Sequence, residues 1–341
     1  MRHINIPVFI PHLGCPNQCI FCNQRVISGT LDFDEDAPKR EIEEVLKTVK
    51  DDDECEIAFF GGSFTGIDRG LMVRLLDMAQ KYVDKGLVKG IRMSTRPDYI
   101  SEEIAAILKN YTVSCVELGI QTMNDDVLKY LKRGHTVEDT YNAVRVLRDN
   151  GFKFVGQMMV GLPSSSAYDE IECAEAICSL GACGARIYPT LVLRSTELEE
   201  LTHNGEYVPL TTNEAVKRSA AVLKVFFDHN VPCIRIGLCD SENLHSEDTF
   251  VAGPNDASIG EMIRSEMLYE IICEKINCAG YTGVEKISIF CNPKSMSQVI
   301  GHKRENIKKL VARYGFADVL VKADKALCEN DIKIEEVKNV S

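Results

Sequence analysis

Short apolar runs alternate with longer segments of helical periodicity over roughly the first 240 residues. The apolar runs are four to eight residues long and end at glycine, proline or polar residues. Runs of this kind are typical of buried strands. Seven strands are predicted, at Ile4–Ile10, Glu56–Phe60, Gly90–Met93, Val113–Leu118, Phe154–Val160, Arg186–Leu193 and Cys233–Ile236.

The segments between these strands carry apolar residues three or four positions apart. Val137, Tyr141, Val144 and Leu147 repeat in this way, and Asn124 stands where a helix N-cap belongs. Repeated strand–helix units imply a parallel sheet. We therefore predict an α/β fold, a complete or partial (β/α) TIM-like barrel, with its chemistry at the C-terminal ends of the strands.

The pattern changes after residue 240, first to a polar stretch and then to a helix predicted over Ile259–Ile276. A small α/β pattern closes the chain. We expect a barrel core at 1–240, an extension at 241–280, a basic module at 281–330 and a tail at 331–341.

The charge of the chain is unevenly distributed. The net charge is −12, yet residues 281–325 contain nine Lys/Arg against four Asp/Glu, which gives +5 there and −17 elsewhere. Basic charge confined to one end is what an appended anion-binding module would require.

Length and composition exclude several classes of protein. The 341 residues suffice for a large core. They contain no run of 18 apolar residues and no apparent signal peptide, so we expect a cytoplasmic protein without a membrane partner. The fourteen cysteines are then expected to be free thiols or metal ligands. Cys173, Cys178 and Cys183 invite a second metal site, but an apolar helix pattern over Ala167–Leu180 favours core thiols at Cys173 and Cys178.

One cysteine motif dominates the candidate chemistry. Cys15, Cys19 and Cys22 follow the first strand at CxxxCxxC spacing. Three thiolates can converge on one soft metal centre, and a cubane cluster held by three of them keeps one iron open. A structural zinc site is the alternative, with His12 as a fourth ligand, although His12 is poorly spaced for a closed tetrahedron.

CxxxCxxC with an aromatic residue before the last cysteine resembles the signature of the radical S-adenosylmethionine (SAM) superfamily. The resemblance implies that Cys15, Cys19 and Cys22 ligate a [4Fe-4S] cluster and that SAM chelates the fourth iron. It also implies cleavage of SAM to a 5′-deoxyadenosyl radical, with a low-potential electron donor as a partner.

Further motifs follow at the predicted strand ends, in an order that is similar to that of the Elongator catalytic subunit family over about residues 5–270. They are Gly61-Gly62-Ser63, Ser94-Thr95-Arg96-Pro97-Asp98, the segment with Gln121 and Arg133, the Gln157 strand, and Ile187-Tyr188-Pro189. A looser resemblance runs to oxygen-independent coproporphyrinogen III oxidase. The Elongator subunits continue into an acetyltransferase domain, which we expect this chain to lack.

The Elongator resemblance assigns SAM contacts by position. Gly61, Gly62 and Ser63 form the glycine motif beside the amino acid part of SAM. Gln121, Arg133 and Gln157 fall where relatives contact the ribose or carboxylate, roles that suit amide and guanidinium groups. Ser94 stands where relatives commonly carry glutamate, and is a ribose-contact candidate. No catalytic residue is assigned, and Tyr188 is the substrate-side candidate.

The C-terminal pattern reads strand–helix–turn–helix–strand, with strands at Lys286–Cys291 and Ala317–Val321. It resembles the core of a KH RNA-binding domain, whose GxxG turn clamps a nucleic acid backbone. Here the turn is Gly301, His302, Lys303 and Arg304, so arginine replaces the second glycine. These four residues are the RNA-binding candidates, and a small α/β cap on the barrel is the alternative.

These observations favour a radical SAM enzyme acting on tRNA or another RNA. A radical SAM enzyme with a porphyrin-like or peptide substrate is a second hypothesis. A zinc-stabilised RNA-binding protein is the third. The sequence leaves the substrate, the electron donor and the oligomeric state open.

Overall fold

Seven parallel strands curl into a half-barrel, as the alternating pattern predicts. The computed structural model describes residues 3–10, 14–15, 19–23, 33–50, 53–238, 246, 248–281 and 283–337, so His12 and most of the polar stretch after residue 240 lie outside the described residues. The strands are β1 His3–Ile10, β2 Glu54–Gly61, β3 Gly90–Thr95, β4 Val113–Gln121, β5 Phe154–Val160, β6 Gly184–Pro189 and β8 Cys233–Ile236.

The chain divides into two units, which are described separately. The first comprises Met1–Thr211 and Val225–Asn255, and the second Thr212–Lys224 and Asp256–Ser341. The domain boundaries drawn from the sequence stay a prediction. Within the described residues, none of the helices combines the length and the apolar character needed to span a bilayer.

In the first unit each strand of the half-barrel pairs with the next one along the chain, in the order β1-β2-β3-β4-β5-β6-β8. Helices cross between the strands, as parallel pairing requires. They are α1 Ala37–Leu46, α2 Arg69–Asp84, α3 Glu102–Leu108, α4 Asp125–Tyr130, α5 Val137–Asp149, α6 Ala167–Ser179 and α7 Glu197–His203, with α8 Thr212–Asp228 running in from the second unit.

Side-chain caps fix where several of these helices begin. The Asn124 side chain accepts hydrogen bonds from the first turn of α4, which confirms the predicted N-cap. Thr136 and Ser166 each form a capping box with an aspartate three residues later. These caps set the start of each helix and therefore the length of the loop that leaves the preceding strand.

The strand predicted over Arg186–Leu193 is wrong in its second half. Strand β6 ends at Pro189, and β7 Val192–Leu193 instead pairs antiparallel with β9 Phe250–Ala252. Between the two, the backbone N–H and the hydroxyl of Thr190 both donate to the Val160 carbonyl, at 2.8 and 2.9 Å. These bonds turn the chain out of the sheet, a change of direction that an uninterrupted apolar run does not reveal.

The second unit contains a three-stranded sheet of β10 Lys286–Cys291, β11 Asp318–Ala323 and β12 Ile332–Glu336. Strand β10 is central, parallel to β11 and antiparallel to β12. Residues 332–336, assigned to a tail from the sequence, therefore form an edge strand. The helices of this unit are α9 Ile259–Ala279, α10 Met296–Ile300 and α11 Glu305–Tyr314, with the start of α8.

Candidate active site

The start of the cysteine loop packs directly on the glycine motif that follows β2. Gly14 has a φ of +77°, and a Cβ built there would lie 2.2 Å from the Ser63 carbonyl oxygen. The Cys15 Sγ lies 3.5 Å from the Ser63 Oγ. Only glycine permits both the left-handed backbone and this approach. The contact brings the first predicted cluster ligand to the C-terminal end of β2.

The end of the cysteine loop is held by backbone hydrogen bonds to two other segments. The Ile20 N–H donates to the Leu131 carbonyl at 3.2 Å, and the Leu198 N–H donates to the Ile20 carbonyl at 2.8 Å. Cys22 N–H donates to the Cys19 carbonyl at 3.0 Å, which closes a turn between these two cysteines. The Cys19–Cys22 segment is therefore fixed between the residue that follows α4 and the first turn of α7.

The chemistry and the position of the three cysteines fit an iron–sulfur cluster. The fit does not rest on side chains already arranged as metal ligands. Cys19 is buried, and Cys15 and Cys22 are half-buried. Among the described residues, no three His, Cys, Asp or Glu side chains are already arranged around a metal. Cys173, Cys178 and Cys183 likewise belong to no such group among the described residues. Cys173 is fully buried in the core, as predicted. Three cysteine thiols on one anchored loop are the donor set that an iron–sulfur cluster uses.

Arg133 connects the cysteine loop to the end of β4. Its guanidinium donates to the Cys19 Sγ at 3.5 Å and to the Gly119 carbonyl at 3.0 Å. A Cβ on Gly119 would lie 2.8 Å from the Arg133 Nη2 and 2.9 Å from the Gln121 Nε2. Gly119, which the sequence analysis did not single out, therefore provides the space that these two predicted site residues occupy.

Gln121 at the end of β4 lies beside Gln157 in the middle of β5. Their side-chain amides exchange two hydrogen bonds, of 3.0 and 2.9 Å. Gln121 ends β4 with a φ of +70° and is 5% exposed. Two residues that the sequence places near SAM are thus adjacent, and each amide satisfies the other.

The remaining predicted SAM residues lie at neighbouring strand ends. Gly61 ends β2 with a φ of +106°, and its Cβ would lie 3.1 Å from the Ile10 carbonyl oxygen at the end of β1. Gly62 follows it and is half-buried. Ser94 is half-buried near the end of β3, opposite Glu117 of β4. The structure therefore places these glycines and Ser94 at the same edge of the sheet as Gln121 and Gln157.

Arg96 is a site residue that lies within a sequence motif, but the motif gave no indication of its role. It is 1% exposed, and its guanidinium donates to both Asp98 carboxylate oxygens, at 2.9 and 2.8 Å. Burial alone would lower the pKa of Arg96, but the hydrogen bond and charge of Asp98, with a smaller contribution from Cys19, raise it. A second buried cation therefore lies near Cys19.

His135 is buried beside these two arginines. Its pKa is lowered to about 3, mainly by burial and further by the charges of Arg133 and Arg96. The imidazole is 3% exposed and therefore neutral at physiological pH. The motif Arg133-Gly134-His135 was visible in the sequence, but the burial that keeps the histidine neutral was not.

A row of ion pairs crosses the inner face of the sheet below the site. Arg92 pairs with Glu56 at 3.1 Å and with Glu117 at 3.3 Å, and Arg186 also pairs with Glu117. The exposed fractions of these four side chains are between 2 and 14%. Buried charges are tolerated where they are paired in this way.

Tyr188 lies at one end of this row. The Arg186 guanidinium lies over the Tyr188 ring at 5.3 Å and over the Phe60 ring at 5.4 Å. Arg186 is opposite Gln157 in the β5–β6 register, and Tyr188 follows two residues later on the same face. The structure thus places the substrate-side candidate on the face that carries the predicted SAM residues.

The predicted basic turn of the second unit joins α10 to α11. His302, Lys303 and Arg304 are exposed, and Lys303 and Arg304 have φ values of +48° and +61°. Arg304 thus adopts the left-handed conformation that a second glycine would take in a GxxG turn. Gly301 is also required, because its Cβ would lie 2.9 Å from the Asn306 backbone nitrogen.

Asn306 holds this turn in place. Its role was not predicted from the sequence. Its buried amide nitrogen lies within hydrogen-bonding distance of the Ser265 carbonyl and hydroxyl, at 3.1 and 3.0 Å, and of the Gln298 carbonyl at 3.1 Å. These bonds tie the start of α11 to α9 and α10. An asparagine in the first turn of a helix is common, so its burial gives no signal in the sequence.

Two family models match most of the chain. The model of the Radical SAM superfamily matches residues 9–172, and the Radical_SAM C-terminal domain model matches residues 183–269. These matches include the three loop cysteines and all of the predicted SAM residues.

Three curated relatives illustrate the similarity. An uncharacterised protein of Methanocaldococcus jannaschii is 30% identical over 246 residues, which is 68% of this chain and 73% of the relative. A tRNA uridine(34) acetyltransferase of the same organism is 32% identical over 52% of this chain and 37% of its own length. Human Elongator complex protein 3 is 30% identical over 54% of this chain and 38% of its own length. The chain thus spans well under half of the two relatives with a named function.

A solved structure supports the fold. Archaeal Elp3 from Methanocaldococcus infernus, with an N-terminal deletion, aligns with a TM-score of 0.60 at 23% identity and covers 81% of this chain and 65% of that one. Streptococcus suis SuiB bound to S-adenosylmethionine aligns with a TM-score of 0.51 at 12% identity, over 71% of this chain and 52% of SuiB. Similarity at this level of identity shows a shared fold.

Proposed function

This chain belongs to the radical SAM superfamily, and on that basis we propose that it cleaves SAM reductively at the C-terminal edge of its half-barrel. Members of this superfamily are enzymes that use a [4Fe-4S] cluster and SAM. In the proposal Cys15, Cys19 and Cys22 ligate the cluster. When bound, the cluster supplies the electron that breaks a carbon–sulfur bond of the SAM sulfonium.

The observation that carries this proposal is the contact between Arg133 and the Cys19 thiol. A single guanidinium contacts Cys19 Sγ at 3.5 Å and the end of β4 at Gly119, so the cysteine loop and the predicted SAM edge form one hydrogen-bonded arrangement. A structural zinc loop would not require the glycine motif, the glutamine pair and a buried arginine at the same edge.

We assign the SAM contacts as the resemblance implies, with one adjustment for Arg133. Ser63 lies beside Cys15, and Gly61, Gly62 and Ser63 would offer backbone groups to the amino acid part of SAM. The amides of Gln121 and Gln157 suit ribose hydroxyls, with Ser94 at the next strand end. Arg133 already binds Cys19 and Gly119, so it would position the cysteine loop as well as reach the carboxylate.

We propose that the substrate approaches Tyr188 on the inner face of the sheet. The Tyr188 ring is held against the Arg186 guanidinium, whose charge is balanced by Glu117. A flat, fixed aromatic ring beside the SAM residues would stack on a planar group of the substrate. The electron would come from a low-potential donor.

We propose a tRNA or another RNA as the substrate. One support is that two relatives are named for tRNA uridine(34) acetylation. The other is the +5 segment, whose turn exposes His302, Lys303 and Arg304. A positive turn would bind phosphates of the RNA backbone and position another part of the RNA for reaction. The shared region covers 37 and 38% of the two relatives with a named function, so acetyl transfer is not part of the proposal.

Binding of tRNA at several salt concentrations tests the RNA proposal. We expect Lys303→Glu combined with Arg304→Glu to weaken binding at least tenfold and to flatten its salt dependence, because phosphate contacts release counterions. Lys275→Glu combined with Lys325→Glu makes the same charge change at exposed positions outside the turn and is the matched control. Equal losses of tRNA affinity in both double variants would show that only net charge matters. They would refute the assignment of this turn as the RNA-binding site.

The substrate itself is tested by mass spectrometry of all modified nucleosides in a deletion strain. The proposal expects at least one nucleoside to disappear and to return when the gene is restored, but not when it carries Cys19→Ala. An unchanged nucleoside profile would contradict an RNA substrate.

A further inference from the structure

Two cysteines outside the candidate active site are within contact distance. The Cys115 Sγ on β4 and the Cys183 Sγ in the loop before β6 are 3.9 Å apart. We propose that Cys115 and Cys183 are a redox-active thiol pair that closes to an intramolecular disulfide by exchange with low-molecular-weight disulfides. This inference is independent of the proposed function, because neither residue contributes to the SAM edge.

The two thiols differ in their access to solvent. Cys115 is 3% exposed, whereas Cys183 is exposed. A dissolved oxidant can therefore reach Cys183 but not Cys115. This asymmetry assigns the roles of the two thiols. Cys183 reacts first, and Cys115 resolves the product from the protein interior.

The surroundings of Cys183 favour its thiolate. A hydrogen bond from the Cys115 thiol lowers the pKa of Cys183 to about 7; partial burial opposes this, and the charges of Lys153 and Arg92 add to it. The same hydrogen bond and burial raise the pKa of Cys115. The thiolate is the attacking species in exchange, so the exposed member of the pair is also the reactive one.

Bond formation requires the two cysteine side chains to move towards each other. A disulfide requires the sulfur atoms to approach from 3.9 Å to about 2.05 Å. Cys183 lies in the short connection between α6 and β6, and its N–H donates to the Phe154 carbonyl at 2.9 Å. This bond holds the Cys183 backbone at the start of β5, so the exposed Cys183 side chain makes the approach by rotation.

The location separates this pair from the cluster chemistry. Cys115 is near the start of β4, and Cys183 directly precedes β6, so both are at the N-terminal ends of the strands. Cys115 is opposite Arg92 in the β3–β4 register, below the row of ion pairs. A bond here would link β4 to the start of β6 across β5, on the far side of the sheet from the SAM edge.

The exchange balances with a glutathione-type disulfide as the oxidant. The Cys183 thiolate attacks one sulfur of the oxidant, forms a mixed disulfide and releases one thiolate. Cys115 then loses its proton, attacks the Cys183 sulfur of the mixed disulfide and releases the second thiolate. One protein disulfide forms, one small disulfide is reduced to two thiols, and two electrons pass from the protein to the oxidant.

The experiment uses the full chain, purified without oxygen, in buffers with increasing ratios of oxidised to reduced glutathione. Free thiols are alkylated, and the protein is digested with trypsin and glutamyl endopeptidase for mass spectrometry. We expect a Cys115–Cys183 linked peptide pair in the wild type and in Cys178→Ser. Cys178 is the matched control, because it is in the same tryptic peptide but has a pKa raised to about 11 by burial.

The variants separate the two steps of the exchange. Cys183→Ser should give no linked peptide and no glutathione adduct on Cys115. Cys115→Ser should accumulate a glutathione adduct on Cys183 that persists. Alkylation of Cys115 at every ratio in the wild type, or a glutathione adduct on Cys183 without the linked peptide, would overturn the proposal.

Discussion

Gln121 at the end of β4 and Gln157 in the middle of β5 hold each other through two reciprocal amide hydrogen bonds, of 3.0 and 2.9 Å. The pair fixes which way both amides face, because each carbonyl oxygen accepts from the other amide nitrogen. The second Gln157 N–H donates to the Met158 carbonyl at 3.3 Å, so Gln121 keeps one N–H and each amide keeps one oxygen lone pair that can face a ligand. The pair therefore presents a defined set of donors and acceptors to the proposed SAM site.

Replacement of Gln121 by Ala should lower the stability of the protein as well as remove one SAM contact. It removes both hydrogen bonds between the amides and leaves the half-buried Gln157 amide bonded only to the Met158 carbonyl, and a typical intramolecular hydrogen bond contributes about 0.5–1.5 kcal/mol. We expect both lower stability to urea and weaker SAM binding. The double variant with Gln157→Ala should lose less free energy of unfolding than the two single variants lose together. Strict additivity of the two losses would show that the amides are not coupled.

Gly119→Ala should disturb the site without unfolding the barrel. The new Cβ would lie 2.8 Å from the Arg133 Nη2 and 2.9 Å from the Gln121 Nε2, so both side chains must move. We expect iron incorporation and SAM binding to fall together, with nearly native circular dichroism. Gly70→Ala, at the exposed start of α2, is the control. Wild-type iron content and SAM affinity in Gly119→Ala would contradict the observed packing.

His135 should make the protein less stable in acid. Its pKa in the folded protein is about 3, below the ordinary value of about 6.5, so the unfolded chain binds the proton more tightly. The free energy of unfolding should therefore fall as the pH drops below 6.5 towards 3, by at most about 1.4 kcal/mol per pH unit. Urea titrations at pH 7.5 and 5 measure this difference.

His135→Asn should reduce that difference between pH 7.5 and 5, because it removes the group that titrates on unfolding. His203→Asn, at an exposed position, controls for the general loss of a histidine. An identical pH dependence in the wild type and in His135→Asn would show that the histidine is not buried as described.

Arg304→Gly and Arg304→Ala should differ although they remove the same charge. Arg304 has a φ of +61°, which costs about 1–2 kcal/mol for any residue except glycine. We therefore expect Arg304→Gly to be about 1 kcal/mol more stable than Arg304→Ala in urea denaturation. Equal stabilities would mean that the turn does not adopt the left-handed conformation. Both variants should bind tRNA less tightly than the wild type if the cation contacts phosphate.

Much of the fold could be predicted from periodicity. Strands β5, β8 and β10 begin and end at the predicted residues, because their apolar runs are bounded by turn residues. The end of β6 could not be predicted, since it depends on hydrogen bonds from Thr190 to the distant Val160. Edge strand β12 is similarly short and polar on one face, and it is recognisable only from its pairing with β10.

Sequence motifs revealed which residues gather at the site but not how they contact one another. Arg133 was assigned to SAM from its position, whereas the structure shows that it binds the Cys19 thiol. The contact joins residues that are 114 positions apart, so no local pattern encodes it. The roles of Gly119 and Asn306 were missed for the same reason, because each depends on the space or the acceptors that other segments provide.

Iron, acid-labile sulfide and SAM cleavage, measured on protein purified without oxygen, test the central claim most directly. We expect about four iron and four sulfide ions per chain and release of 5′-deoxyadenosine on reduction. Cys15→Ala, Cys19→Ala and Cys22→Ala should each lose the iron and the cleavage, whereas Cys178→Ala should keep both. Stoichiometric zinc without sulfide in the wild type, or full iron content and cleavage in any of the three loop variants, would contradict the account.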